Sequence, residues 1–225
     1  MIKVLPSSNP EKEENLVSYV RNLMDLGVEY LHCDVMDGIF VNNKCLDFNT
    51  LKDVRNNTNI LLDVHLMVSN PIKVIEDYIC LKPNIITIHL ESVKCKRQIK
   101  KIAKMIKDKD ILFGLSLKPD TSVSELVPFI DLIDLVLIMS VEPGKSGQKF
   151  IENSLEKIND VKCLINDRNI IIELDGGINL DNFKKVVSAG AEFLVMGSAF
   201  YNEKDKVALL NKIDKHYRKP KTNKK

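Results

Sequence analysis

The chain has 225 residues, 44% of them hydrophobic, and its 33 Lys and Arg against 31 Asp and Glu leave a formal charge of +2. So even a balance excludes nucleic acid as the main partner, because neutralising phosphates takes concentrated positive charge. No run has signal-peptide or transmembrane length, so no membrane partner is expected.

In chain order, the runs of strand type are Ile2–Leu5, Tyr30–Asp34, Leu61–Met67, Ile85–His89, Leu112–Leu117, Leu135–Met139, Ile170–Asp175 and Phe193–Met196. Their spacing is that of βα units, and several are continuously apolar, as strands covered on both faces are. Helical stripes lie between them: Leu16, Val20, Leu23, Met24 and Gly27; then Val74, Ile75, Tyr78 and Ile79; then Leu155, Ile158, Val161, Cys163 and Leu164. This pattern predicts a (β/α)8 TIM barrel. A doubly wound sheet would carry a glycine fingerprint after its first strand, and Ser7-Ser-Asn-Pro10 offers none. One domain is expected over residues 1–217, followed by a basic, flexible tail over 218–225. Five cysteines without a CxxC pair fit a reducing cytoplasm. Of these, Cys33, Cys80 and Cys163 read as small core residues.

Barrel enzymes place their chemistry at the C-terminal ends of the strands. His32, Asp34, His65 and Asp175 all fall there, as does His89. His32 and Asp34 alternate by two, so both side chains face the same side. Two imidazoles and two carboxylates converging at one rim suit one divalent metal ion, Zn, Fe, Mn or Co. The carboxylates of Asp34 and Asp175 are then placed to act as acid and base. A capping role for Asp34, or a turn role for Asp175, accounts for either residue alone but not for the set. Met36, Met67 and Met139 stand at or just past strand ends and predict a soft, water-excluding collar. Glycine-rich turns follow the last three strands at Pro143–Gln148, Gly176-Gly177 and Gly197-Ser198. Such turns cradle phosphate with backbone N–H groups, which points to a small phosphorylated ligand.

The sequence resembles the ribulose-phosphate 3-epimerase family from about Pro6 to Tyr201. The resemblance rests on His-Cys-Asp-Val-Met-Asp-Gly-Ile-Phe-Val (32–41), Asp-Val-His-Leu-Met-Val (63–68) and His-Leu-Glu (89–91). It continues through Gly-Leu-Ser-Leu-Lys-Pro-Asp-Thr (114–121), Ile-Met-Ser-Val-Glu-Pro-Gly (138–144), Asp-Gly-Gly-Ile (175–178) and Gly-Ser-Ala (197–199). It implies a metal held by His32, Asp34, His65 and Asp175, with Asp34 and Asp175 as the catalytic pair. It also implies a ketose phosphate bound by Ser7, His65, Gly144, Ser146, Gly147, Gly177, Gly197 and Ser198, in a cytoplasmic homo-oligomer. The implied reaction interconverts D-ribulose 5-phosphate and D-xylulose 5-phosphate through a cis-enediolate.

Two departures stand out. A serine of the family's first loop falls on Pro10, leaving Ser8 or Asn9 to replace its contact. The family's Pro-Gly-Phe-Gly-Gly-Gln reads Pro-Gly-Lys-Ser-Gly-Gln here, with Lys145 expected to stay in solvent. The rival readings are an epimerase for a ketose 6-phosphate such as allulose 6-phosphate, a non-catalytic phosphosugar-binding homologue, and a Schiff-base aldolase using Lys118.

Overall fold

The computed structural model describes residues 2–218. Its strands are β1 (Lys3–Pro6), β2 (Tyr30–Asp37), β3 (Lys44–Cys45), β4 (Leu61–Met67), β5 (Ile85–His89), β6 (Leu112–Leu117), β7 (Leu135–Met139), β8 (Ile171–Asp175) and β9 (Phe193–Met196). The helices are α1 (Leu16–Asp25), α2 (Phe48–Asn57), α3 (Pro71–Cys80), α4 (Lys96–Lys107), α5 (Ser154–Ile165), α6 (Phe183–Ala189), α7 (Ser198–Tyr201) and α8 (Lys206–Arg218). Every pairing is parallel except that of β3, which returns antiparallel along the end of β2. β1 pairs with β9, and a bridge between Ser7 and His32 joins it to β2, so the sheet curls closed as a (β/α)8 barrel.

Strand alternation divides the core into two layers. Leu135, Leu137 and Met139 of β7 point inward and pack with Leu5, Ile85, Phe193 and Val195. Val136 and Ile138 of the same strand point outward and meet the helical shell. The shell receives Leu16, Val20 and Leu23 from α1, and Ile99, Ile102, Ala103 and Ile106 from α4. Each such Leu, Ile or Val side chain contributes about 1.5–3 kcal/mol on leaving water.

Most predicted strand bounds coincide with the observed ones. The exceptions are β1, displaced by one residue, β2, extended through Asp37, and β8, begun one residue later. Two expectations need correction. Cys33 is buried, but Cys80 and Cys163 are exposed, because they fall on the outer faces of α3 and α5. Helix α8 runs through Arg218, the first residue of the expected tail, and the rest of that tail lies outside the described residues.

Candidate active site

Alternation within the strands and register between them assemble the site. Asp34 stands opposite His65, and His32 opposite Asp63, across the β2–β4 pair. Asp175 stands opposite Met139 across β7–β8. Ligand atoms of His32, Asp34, His65 and Asp175 consequently lie within 4.8 Å of one another. His32 Nε2 is 3.3 Å from Asp34 Oδ1 and 3.9 Å from Asp175 Oδ2, and His65 Nδ1 is 3.3 Å from Asp34 Oδ1.

The donor set suits a divalent cation of the borderline type. The structure adds a direct sign: His32 Nε2 is fully buried and has no hydrogen-bond partner among the described residues, although two carboxylates face it. An orphaned buried nitrogen of this kind is costly unless something occupies the space it faces. His32, Asp34 and Asp175 would together hold a divalent cation there.

The opposite nitrogen of His32 is well served. Its Nδ1 lies 2.5 Å from Asp63 Oδ2 and 3.3 Å from Glu173 Oε1, both carboxyl groups being wholly buried. With the Nδ1 proton held there, the proton that a cation would displace is the one on Nε2, whose lone pair would then face the site. Asp63 stands two residues before His65, and Glu173 two before Asp175. The alternation that groups His32 with Asp34 therefore also marks them as inward-facing. We expect Asp63→Asn to weaken metal binding by about 10–100-fold, read as metal content of the purified variant against the parent.

Burial alone would push the His32 imidazole down, but Asp34 and Asp63 outweigh it and hold its pKa well above the ordinary value. The two candidate catalytic carboxylates are driven apart. Asp34 is buried, yet His32 and His65 hold it well below the usual carboxylate range. Burial, and then the charge of Asp34, push Asp175 up to about 7. One aspartate is ionised where the other retains a proton, the division that acid–base chemistry at a single carbon requires. Ser7 Oγ donates to Asp34 Oδ2 at 2.7 Å and holds the ionised carboxylate in place.

A cavity of about 360 Å³ opens above these carboxylates. Ser7, Asp34, Asp175, the collar of Met36, Met67 and Met139, and the turn residues Gly144, Ser146, Gly147, Gly177, Gly197 and Ser198 all line it. His32 and His65 lie beneath, fully buried. At the first loop, Asn9 lines the cavity while Ser8 is buried below it, with its Oγ 3.4 Å from the Asp34 backbone N–H. Lys145, expected in solvent, is exposed but also lines the cavity, where every other charged side chain is acidic: Asp34, Glu142 and Asp175. Its loop is clasped from both sides. Gln148 Nε2 donates to the carbonyls of Glu142 and Lys145, at 2.6 and 2.9 Å, and Asn43 Nδ2 donates to Gly144 O at 2.5 Å. Asn179 and Asn202, which carried no sequence signal, line the cavity as well. Lys118 does not; its Nζ sits 4.2 Å from the Phe40 ring centroid, which leaves an aldolase without its amine in the site.

His89, the further histidine on the rim, touches the site indirectly. Its Nε2 is 2.9 Å from His65 Nε2 and its Nδ1 is 3.2 Å from Glu91 Oε2.

Comparison with known proteins places the chain in a family. Residues 3–201 match the model of the ribulose-phosphate 3 epimerase family. A ribulose-phosphate 3-epimerase of Bacillus subtilis is 35% identical over 216 residues, covering 95% of this chain and 98% of the relative. One from Aquifex aeolicus is 38% identical over 189 residues, covering 83% and 84%. Among solved structures, KGPDC from Streptococcus mutans superposes with a TM-score of 0.70 at 10% identity, covering 96% of this chain and 97% of that one, a likeness of fold alone.

Proposed function

The chain belongs to the ribulose-phosphate 3-epimerase family, and on that premise we propose that it interconverts D-ribulose 5-phosphate and D-xylulose 5-phosphate by two-base proton transfer at C3. The observation that carries this reading is the pair Asp34 and Asp175, in one cluster under one cavity, with their pKa values driven in opposite directions by their surroundings. A C–H beside a ketone is a very weak acid, and its removal leaves negative charge on two neighbouring oxygens. His32, Asp34, His65 and Asp175 would hold a divalent cation, which would supply the Lewis acid that stabilises that charge.

The side chains divide the remaining work. In one direction ionised Asp34 accepts the C3 proton, and protonated Asp175 delivers a proton to the opposite face of the enediolate. The reverse direction exchanges the two roles. Met36, Met67 and Met139 exclude water from the planar intermediate, which keeps C3 reprotonation in the hands of the two carboxylates. A coupled assay with ribulose 5-phosphate, before and after chelation, tests the reading. Activity with allulose 6-phosphate alone would reassign the substrate, and metal-loaded protein that binds ribulose 5-phosphate without turnover would reduce the chain to a binding protein. A cytoplasmic homo-oligomer goes with this reading, and light scattering tests the assembly.

At the phosphate end the two key glycines differ. A Cβ at Gly177 would lie 2.8 Å from the Phe150 backbone nitrogen, at a φ of +64°, so a side chain there strains the backbone itself. At Gly197 the nearest atoms to a Cβ are side chains of Pro10, Ser146 and Ser7, at 3.7–3.9 Å, so added bulk occupies ligand space without a backbone clash. We expect Gly197→Val to fold and to raise KM for the phosphosugar while kcat changes little. Gly177→Val should instead lower Tm. Lys145→Ala should raise KM too, since it removes the cavity's cation. Steady-state kinetics beside thermal unfolding separate these outcomes.

A further inference from the structure

His32 takes its orientation from a carboxylate directly, whereas His65 has no carboxylate on its second nitrogen. It has His89. Among the described residues, His65 Nε2 faces His89 Nε2 at 2.9 Å and His89 Nδ1 faces Glu91 Oε2 at 3.2 Å, with both rings fully buried. Two facing imidazole nitrogens make a hydrogen bond only if one carries hydrogen and the other a lone pair. The direction of that bond decides which nitrogen of His65 is left for the site.

Asp34 Oδ1 faces the other nitrogen, His65 Nδ1, at 3.3 Å, but it belongs to the ligand set that a cation would satisfy, so Glu91 settles the direction. Its Oε1 accepts the Lys118 backbone N–H at 2.7 Å and the Thr121 hydroxyl, so the group is anchored as an acceptor. A carboxylate facing His89 Nδ1 requires a proton on that nitrogen. His89 Nε2 is then a lone pair, His65 Nε2 must donate to it, and His65 Nδ1 is left unprotonated, 3.3 Å from Asp34 Oδ1 among the ligand atoms. The opposite direction would set two lone pairs against each other at Glu91.

We propose that Glu91 and His89 are positioning residues, a two-step hydrogen-bond relay that fixes His65 in the tautomer whose Nδ1 lone pair faces the metal cluster. The proposal rests on the metal-dependent reading above and adds residues that touch neither the cation nor the sugar. The relay also links the β5 end to the β6 loop through Lys118 and Thr121, so the tautomer of His65 depends on that loop staying in place.

Two measurements test it. In the Zn²⁺-loaded parent, long-range proton–nitrogen NMR of the histidine rings should report His65 with its proton on Nε2 and His89 with its proton on Nδ1. Zn²⁺ affinity, measured by competition with a chromophoric chelator, should fall by about 10–100-fold in Glu91→Gln, whose amide can donate to His89 Nδ1 and reverse the relay. Glu91→Asp should recover part of the loss. A purely structural role would lower thermal stability in Glu91→Gln without moving the His65 signals. An Nδ1–H tautomer in the parent, or Zn²⁺ affinity equal to the parent's in both Glu91→Gln and His89→Phe, overturns the relay. These failures are distinct from that of the epimerase reading, which would show as a parent protein with no turnover.

Discussion

Asp34→Asn and Asp175→Asn should each lower turnover by at least about 10²–10⁴-fold, the usual worth of one positioned acid or base. The amide keeps the size of the carboxyl but neither accepts nor delivers a proton at C3, and it removes a charge from the cluster. The two losses should differ in kind. Asp34 is held ionised by His32 and His65, so its replacement removes the group poised to accept a proton. Asp175 retains a proton up to about pH 7, so its replacement removes the donor. Solvent-deuterium exchange at C3 resolves them, since a variant with one working carboxylate can still exchange the proton on its own face without inverting the carbon. Parental turnover in either variant, with the cluster metal-loaded, would sink the two-base scheme.

The barrel was legible in the sequence because its strands are apolar on both faces and its turns are polar, so the strand bounds mostly coincide with the observed ones. The cluster was legible for a related reason. Strand alternation is a period of two, and His32 with Asp34 displays it within one motif. The same period marks Asp63 beside His65 and Glu173 beside Asp175, and there the signal was present but unread. Other contributions come from elements remote in sequence. Asn9, Lys145, Asn179 and Asn202 line one cavity only because the segments after β1, β7, β8 and α7 converge on one rim. Strand β3 is two residues long and too short to show a pattern. Cys80 and Cys163 illustrate the converse error, since an apolar neighbourhood in sequence does not decide which face of a helix a residue occupies.

The second large effect lies in the coupling between metal and protons. In the metal-free protein His32 holds its proton well above its ordinary pKa, and Asp175 holds one up to about 7. A cation held by His32 would displace the His32 proton, while the two-base scheme requires Asp175 to keep its own. Because the His32 pKa is raised, proton competition is strongest at low pH and relaxes as pH rises. The apparent affinity should rise about tenfold per pH unit while His32 is protonated, one proton being released. Manganese titrations of the chelated enzyme from pH 6 to 8, run in buffers of different ionisation enthalpy, count the protons directly. Asp175→Asn should leave that one-proton slope unchanged. Release of two protons would mean that the cation expels the Asp175 proton, and the asymmetry assigned to the two aspartates would go with it. Removing the metal altogether should abolish epimerisation at every pH, because neither carboxylate can take the C3 proton unless the charge left behind is stabilised.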